Sequence, residues 1–153
     1  MRIEFLKSGD KETMEKIALW YFNEWQIPMD KTIDRLEKLP VSITMFQLIL
    51  FESGKIVATA GLCKEVSVHQ EHPQLKKYDP WVSLLYTDLP YRGKGLASAL
   101  LVELEVRSKE LGFSKIYLST HTNALQFYQK RDWKVMESCQ YKDKLTYIMY
   151  KNL

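Results

Sequence analysis

The spacing of apolar positions divides the chain into short segments of two periods, one near 2 and one near 3.6 residues. Arg2 to Leu6 alternates and predicts a short strand. Met14, Ile17, Ala18, Tyr21, Phe22 and Trp25 recur at helical intervals, which predicts a helix that buries this face and ends before Pro28. Trp20 falls off that face, where it could line an acceptor cleft or a dimer contact. Thr32 to Leu39 predicts a second short helix, with Ile33, Leu36 and Leu39 on one side and Pro40 as its stop. Thr44 to Glu52 is rich in strand formers, Ser53-Gly54-Lys55 reads as a turn, and Ile56 to Val66 reads as a second strand, so the pair predicts a hairpin. Residues 67–80 are polar and non-periodic and predict a loop of about a dozen residues, long enough to suspect of a role.

Further on, Trp81 to Thr87 predicts an apolar strand and Tyr91 to Gly95 a glycine-containing loop. Ala97, Leu100, Leu101, Leu104 and Leu111 mark a long helix with Gly112 at its C-cap. Lys115 to Ser119 predicts a strand, Asn123 to Arg131 a helix, and Trp133 to Tyr141 and Thr146 to Lys151 the last two strands. The order β-αα-β-β-β-α-β-α-β-β predicts an α/β (α+β) fold: a mixed, mostly antiparallel central sheet of about seven strands flanked by four helices. With no repeat and no linker, residues 1–153 are expected to form a single domain.

Composition narrows the function classes. At 46% hydrophobic and 27% charged residues the chain is ordinary globular material, not a disordered tail, a fibre or a disulfide scaffold. The longest apolar candidate, Ile43 to Phe51, is interrupted by Thr44 and Gln47 and falls short of the roughly 18 residues of a membrane helix. Met1 to Phe5 lack the apolar core of a signal peptide, so a cytoplasmic protein with no membrane partner is expected. The two cysteines, Cys63 and Cys139, form no CxxC and no His/Cys cluster, so free thiols and no metal are expected. Residues 1–80 hold eleven basic and twelve acidic side chains, and residues 81–153 hold eleven and seven. That small basic surplus suits an anionic ligand in the second half. It lacks the clustering that a nucleic-acid partner requires.

Tyr91-Arg92-Gly93-Lys94-Gly95-Leu96-Ala97 follows a strand and opens a helix. A helix N-terminus offers unpaired N–H groups and partial positive charge, and glycine lets backbone approach an anion closely. Together these predict a phosphate site, with Arg92 and Lys94 adding charge at its rim. The spacing is neither G-x-x-x-x-G-K-[ST] nor G-x-G-x-x-G, because Ser98 stands three after Gly95. A plain tight turn between strand and helix fits the same residues.

Arg92, Gly95 and Ala97 after an apolar strand form Arg-x-x-Gly-x-Ala, which resembles the acyl-CoA motif of the GNAT N-acetyltransferase family. Ala124-Leu125-Gln126-Phe127-Tyr128-Gln129-Lys130-Arg131-Asp132-Trp133 resembles that family's later motif, Ala-x-x-Phe-Tyr-x-Lys-x-Gly-Phe/Trp. The resemblance covers essentially the whole chain and implies acetyl-CoA as co-substrate. Leu85, Tyr86 and Thr87 would meet the pantetheine arm, the backbone of Leu85 and Thr87 making its contacts. The N–H groups of Arg92, Gly93, Lys94, Gly95, Leu96 and Ala97 would wrap the diphosphate. Asn123 and Phe127 would complete the cofactor site, and Tyr128 would be the general acid beside the thioester sulfur. An amine, on a small molecule or a peptide, would attack the acetyl carbonyl with no acyl-enzyme. A homodimer stays open.

The residues themselves agree with direct transfer. No Cys–His or Ser–His–Asp grouping is visible, and a Tyr that stays protonated at neutral pH can donate to a thiolate. Three departures from the family pattern bear on the site, a fourth, Leu89 for a proline with Pro90 one later, being harmless. His121 stands where the family has Asn, so His121 or Asn123 would make that pantetheine contact. Asp132 stands where it has Gly. Trp81 and Ser83 stand where it often has a base. Of Glu65, His69, His72 and His121, His121 is the first choice for base, because it directly precedes the Tyr128 helix. His69 and His72 read as solvated loop groups, Glu65 as a group facing water, and Asp88 as a solvated carboxylate. The rival reading is a non-catalytic acyl-CoA sensor.

Overall fold

The computed structural model describes residues 1–39 and 45–153. Pro40 as a helix stop and Thr44 as a strand start lie outside the described residues. The elements are β1 (Arg2–Phe5), α1 (Lys11–Trp25), α2 (Met29–Glu37), β2 (Phe46–Glu52), β3 (Lys55–Cys63), β4 (Trp81–Thr87), α3 (Leu96–Glu110), β5 (Lys115–Thr120), α4 (Thr122–Gln129), β6 (Lys134–Tyr141) and β7 (Lys144–Asn152). The seven strands run in the order β1-β2-β3-β4-β5-β7-β6. The β1–β2, β2–β3, β5–β7 and β6–β7 pairs are antiparallel and β4–β5 is parallel, the mixed sheet with four helices that the pattern predicted. Among the described residues no helix is long and apolar enough to cross a membrane.

The chain forms two compact units, one of Met1–Leu62 with Leu84–Leu104, the other of Cys63–Ser83 with Glu105–Leu153. In the first, α1 starts at Asp10, whose carboxylate accepts the Thr13 amide at 3.2 Å and the Thr13 hydroxyl at 2.7 Å, an N-cap bond that satisfies one orphan donor of the first turn. Its buried face is Thr13, Met14, Ile17, Ala18, Trp20 and Tyr21. This corrects the expected face in two ways. Trp20 is buried and stacks on Tyr86 with ring centroids 5.2 Å apart, so it lines no acceptor cleft. Phe22 is 47% exposed and Trp25 38%. At 3.6 residues per turn Phe22 lies about 140° round the helix from Ile17, and Trp20 only about 60°. The hydrophobic stripe is centred between Ile17 and Tyr21, so it takes in Trp20 and leaves Phe22 out.

In the second unit, residues 67–80 are not a plain solvated loop. Two 3-10 turns, Ser67–Gln70 and Pro73–Lys77, bury Val68 and Leu75 in one apolar cluster with Trp81, Tyr117 and Ile148. The segment is also pinned to the β6–β7 hairpin. His72 Nε2 lies 2.6 Å from the Gln140 carbonyl, and the Lys142 amide donates to the Glu71 carboxylate at 3.1 Å. A segment with no sequence period can still bury side chains, because 3-10 turns place only one or two of them inward.

Candidate active site

In the first unit the loop after β4 is built to leave its amides free. The Asp88 amide donates to the Val57 carbonyl at 2.8 Å, and the Asp88 carboxylate caps the Leu89 amide at 3.0 Å. Asp88 is therefore a turn-former, and half-buried, not a solvated carboxylate. A short 3-10 turn, Leu89–Tyr91, follows, and the Arg92 amide closes it on the Leu89 carbonyl at 3.3 Å. That bond removes Arg92 from the six expected diphosphate donors. Gly93 and Gly95 both take positive φ, 78° and 79°, which glycine adopts without the Cβ penalty. The first backbone bond of α3 is Ala99 N–H to Gly95 O at 3.1 Å. Among the described residues the amides of Gly93, Lys94, Gly95, Leu96 and Ala97 donate to no backbone carbonyl. A Cβ at either glycine would meet nothing within 4 Å.

The Arg92 side chain is spent on holding this loop. Its Nε donates to the Thr87 carbonyl at 2.8 Å, its guanidinium lies 5.2 Å from the Tyr86 ring centre, and it faces the Glu24 carboxylate at 3.6 Å. Lys94 Nζ sits 5.3 Å from the centre of the Tyr91 ring. Tyr86 is buried, and burial raises its hydroxyl pKa while the Arg92 charge opposes the rise. Leu85 and Thr87 are half-buried, and Thr87 Oγ1 is a buried atom with no partner. Among the described residues the β4–β5 register is the single pair Trp81↔Tyr117, so this ladder does not engage Leu84 to Thr87.

Leu84 itself has φ 49°, a left-handed backbone in mid-strand. Its carbonyl accepts a hydrogen bond from the Tyr21 hydroxyl at 2.8 Å. Gln47 Nε2 donates to the Tyr21 hydroxyl at 3.0 Å and to Thr59 Oγ1 at 2.7 Å, and Thr59 Oγ1 donates to the Leu48 carbonyl at 2.7 Å. Sequence reading assigned Tyr21 to the core and missed this network. The one signal for it was Gln47, an amide inside an apolar strand, which has to find partners once buried.

In the second unit, α4 carries His121 at its N-cap and Asn123 in its first turn, both exposed. His121 Nδ1 lies 3.3 Å from the Leu145 carbonyl. A carbonyl only accepts, so Nδ1 carries a proton, and in the neutral ring Nε2 is then the acceptor. Phe127 and Tyr128 are half-buried, their rings edge to face at 5.1 Å. Arg131 donates to the Phe127 carbonyl at 2.8 Å and its guanidinium lies 3.8 Å from the Phe127 ring centre. Among the described residues no hydrogen bond is found for the Tyr128 hydroxyl, and desolvation pushes its pKa up to about 12.

The other base candidates separate cleanly. Glu65 is exposed, as expected. His69 is not a surface group: it is 4% exposed and lies edge to face on Trp81 with centroids 5.0 Å apart. The Val66 amide donates to His69 Nδ1 at 3.3 Å, and desolvation lowers the pKa of the ring, against the Glu65 charge and with the Lys76 charge. His72 is half-buried and occupied by the Gln140 carbonyl.

A sequence model described as the Acetyltransferase (GNAT) family matches residues 11–133, which include both the amide-lined loop and Tyr128. The chain belongs to the acetyltransferase (GNAT) family. It is thereby an acetyl-CoA-dependent N-acetyltransferase. No curated protein sequence matches it. Solved structures share the fold of this acetyltransferase over its whole length. An aminoglycoside 6'-N-acetyltransferase complexed with coenzyme A superposes with TM-score 0.79 at 15% identity, over 99% of this chain and 97% of the other. Ribosomal-protein-alanine N-acetyltransferase from Brucella melitensis superposes with TM-score 0.78 at 14% identity, over all of both chains. A protein from Salmonella typhimurium with its cofactor acetyl-CoA superposes with TM-score 0.74 at 17% identity, over 100% of this chain and 94% of the other. At these identities the likeness is one of fold.

Proposed function

We propose that this acetyltransferase moves the acetyl group of acetyl-CoA directly onto a primary amine of a small-molecule or peptide acceptor. The observation that carries the reading is the run of five amides, Gly93 to Ala97, at the start of α3, which donate to no backbone carbonyl among the described residues. Such a run is a diphosphate cradle, since its N–H groups and the helix dipole both favour negative charge. The Leu85 and Thr87 backbone and the orphaned Thr87 hydroxyl suit the amide-bearing pantetheine arm. Asn123 and Phe127 would complete the hold on the cofactor.

Acetyl-CoA supplies the acyl group as a thioester. The protein would supply position and proton management. Tyr128 is the acid in this reading. A hydroxyl held near 12 stays protonated throughout the physiological range, so it acts as a hydrogen-bond donor to the departing thiolate. His121, with its lone pair on Nε2, would take the proton of the incoming amine, directly or through a water. Aminoglycoside acetyltransferases among the structural neighbours support a small-molecule amine as acceptor. Cys63 and Cys139 form no disulfide among the described residues, which suits a reducing, cytoplasmic setting.

Calorimetry with coenzyme A tests the cradle. Gly95→Glu places a carboxylate and a strained φ at its centre, and CoA binding is expected to disappear while the circular dichroism spectrum is kept. Unchanged affinity in that variant would overturn the assignment.

A further inference from the structure

Tyr21 sits on the buried face of α1, where its ring alone would suffice for packing. Its hydroxyl does something a core ring does not need: it donates to the carbonyl of Leu84, a leucine held at φ 49° in the middle of β4. The direction of this bond is fixed by the groups around it. The Leu84 and Leu48 carbonyls can only accept, so the Tyr21 and Thr59 hydroxyls must donate to them. Both hydroxyls therefore accept from Gln47, which must present its amide nitrogen to the pair. Gln47 Oε1 is left buried with no partner. A buried amide oxygen without a partner is costly, and here it is the consequence of aiming two donors at Tyr21 and Thr59.

The consequence for β4 follows from peptide geometry. The Leu84–Leu85 peptide is trans, so the Leu84 C=O and the Leu85 N–H point in opposite directions. Pinning the Leu84 oxygen to Tyr21 therefore turns the Leu85 N–H away from α1. A leucine does not rest at positive φ unaided, because its Cβ crowds the backbone there. The Tyr21 hydroxyl bonds the carbonyl of that same residue.

We infer that Tyr21 is a positioning residue for acetyl transfer: through the Leu84 carbonyl it holds the left-handed kink of β4 and so aims the Leu85 amide at the acyl carbonyl of the donor. This rests on the acetyl-CoA reading above. Gln47 is its support, keeping the Tyr21 proton directed at Leu84.

The test compares Tyr21→Phe with Leu118→Val, a core truncation in β5 outside the apolar cluster that holds Tyr21 and Leu84. In the ligand-free protein, the Leu84 HN–Hα coupling and the Leu85 amide shift should change in Tyr21→Phe and not in Leu118→Val. Tyr21→Phe should weaken acetyl-CoA binding several-fold more than CoA binding. The carbonyl stretch of bound ¹³C-acetyl-CoA should move back toward its value in water. A role confined to stability would weaken both ligands alike and leave the carbonyl frequency in place, and that result would overturn the inference while the cradle stands. Failure of the unmodified protein to bind CoA at all would overturn the acetyl-CoA reading and this inference with it. Should Tyr21→Phe not fold, Gln47→Leu is read by the same three measurements. A smaller change in the same direction supports the inference, and none overturns it.

Discussion

The Trp133 amide donates to the Tyr128 carbonyl at 3.2 Å, and the two rings meet edge to face with centroids 6.1 Å apart. Between them the Asp132 amide returns to the Gln129 carbonyl at 3.2 Å with Asp132 at φ 67°. This pair of bonds is a Schellman C-cap, with its hydrophobic contact supplied by the rings. Trp133 is 2% exposed, so it anchors the last turn of α4 and with it Tyr128.

Asp132 pays the left-handed backbone penalty at that cap, though less than most residues would. Asp132→Gly should raise stability by about 0.5–1 kcal/mol, the gain on removing the Cβ net of the entropy cost of glycine. Asp132→Val should lower it by more than about 1 kcal/mol. Urea unfolding with unchanged m-value reads both. A destabilised Asp132→Gly would mean that the carboxylate holds something the cap geometry does not.

Tyr128→Phe removes a hydroxyl with no hydrogen bond among the described residues, so at pH 7 stability should change little. Acetyl transfer should fall about a hundredfold, with CoA affinity kept. The alkaline limb gives a second readout. The folded pKa, about 12, lies above the unfolded value of roughly 10, so between these pH values the unfolded chain binds fewer protons. The contribution of the neutral hydroxyl is complete below pH about 10 and is lost as pH rises toward 12. The wild-type protein should therefore lose stability over that window more steeply than Tyr128→Phe. Parallel curves would place the hydroxyl in water.

His69 has the opposite sign. Its folded pKa is lowered, chiefly by burial, below the roughly 6.5 of an unfolded chain. As pH falls below 6.5 the unfolded state takes up a proton that the folded state resists, so stability drops on acidification and is complete above that value. The 3-10 segment around His69 should show this first, as faster amide exchange near pH 5 than at pH 7.5. In His69→Gln that acid-dependent component should vanish. Its persistence would assign the effect to carboxylates elsewhere.

The alternation and helical spacing of the chain determined the order of all seven strands and four helices, because each half-buried element writes its own period into the sequence. Two short motifs, Arg92 to Ala97 and Ala124 to Trp133, pointed to the family, and Asp132 was recognisable as a residue able to stand at positive φ. Tertiary structure decided the rest. Only packing told Trp20 from Phe22, since a helical stripe's centre depends on what lies against it. Only packing buried His69, because residues 67–80 carry no period. The Tyr21–Leu84 bond joins residues 63 apart. A contact of that range leaves no mark on local spacing, and its single trace was a glutamine in an apolar strand that had to find partners once water was gone.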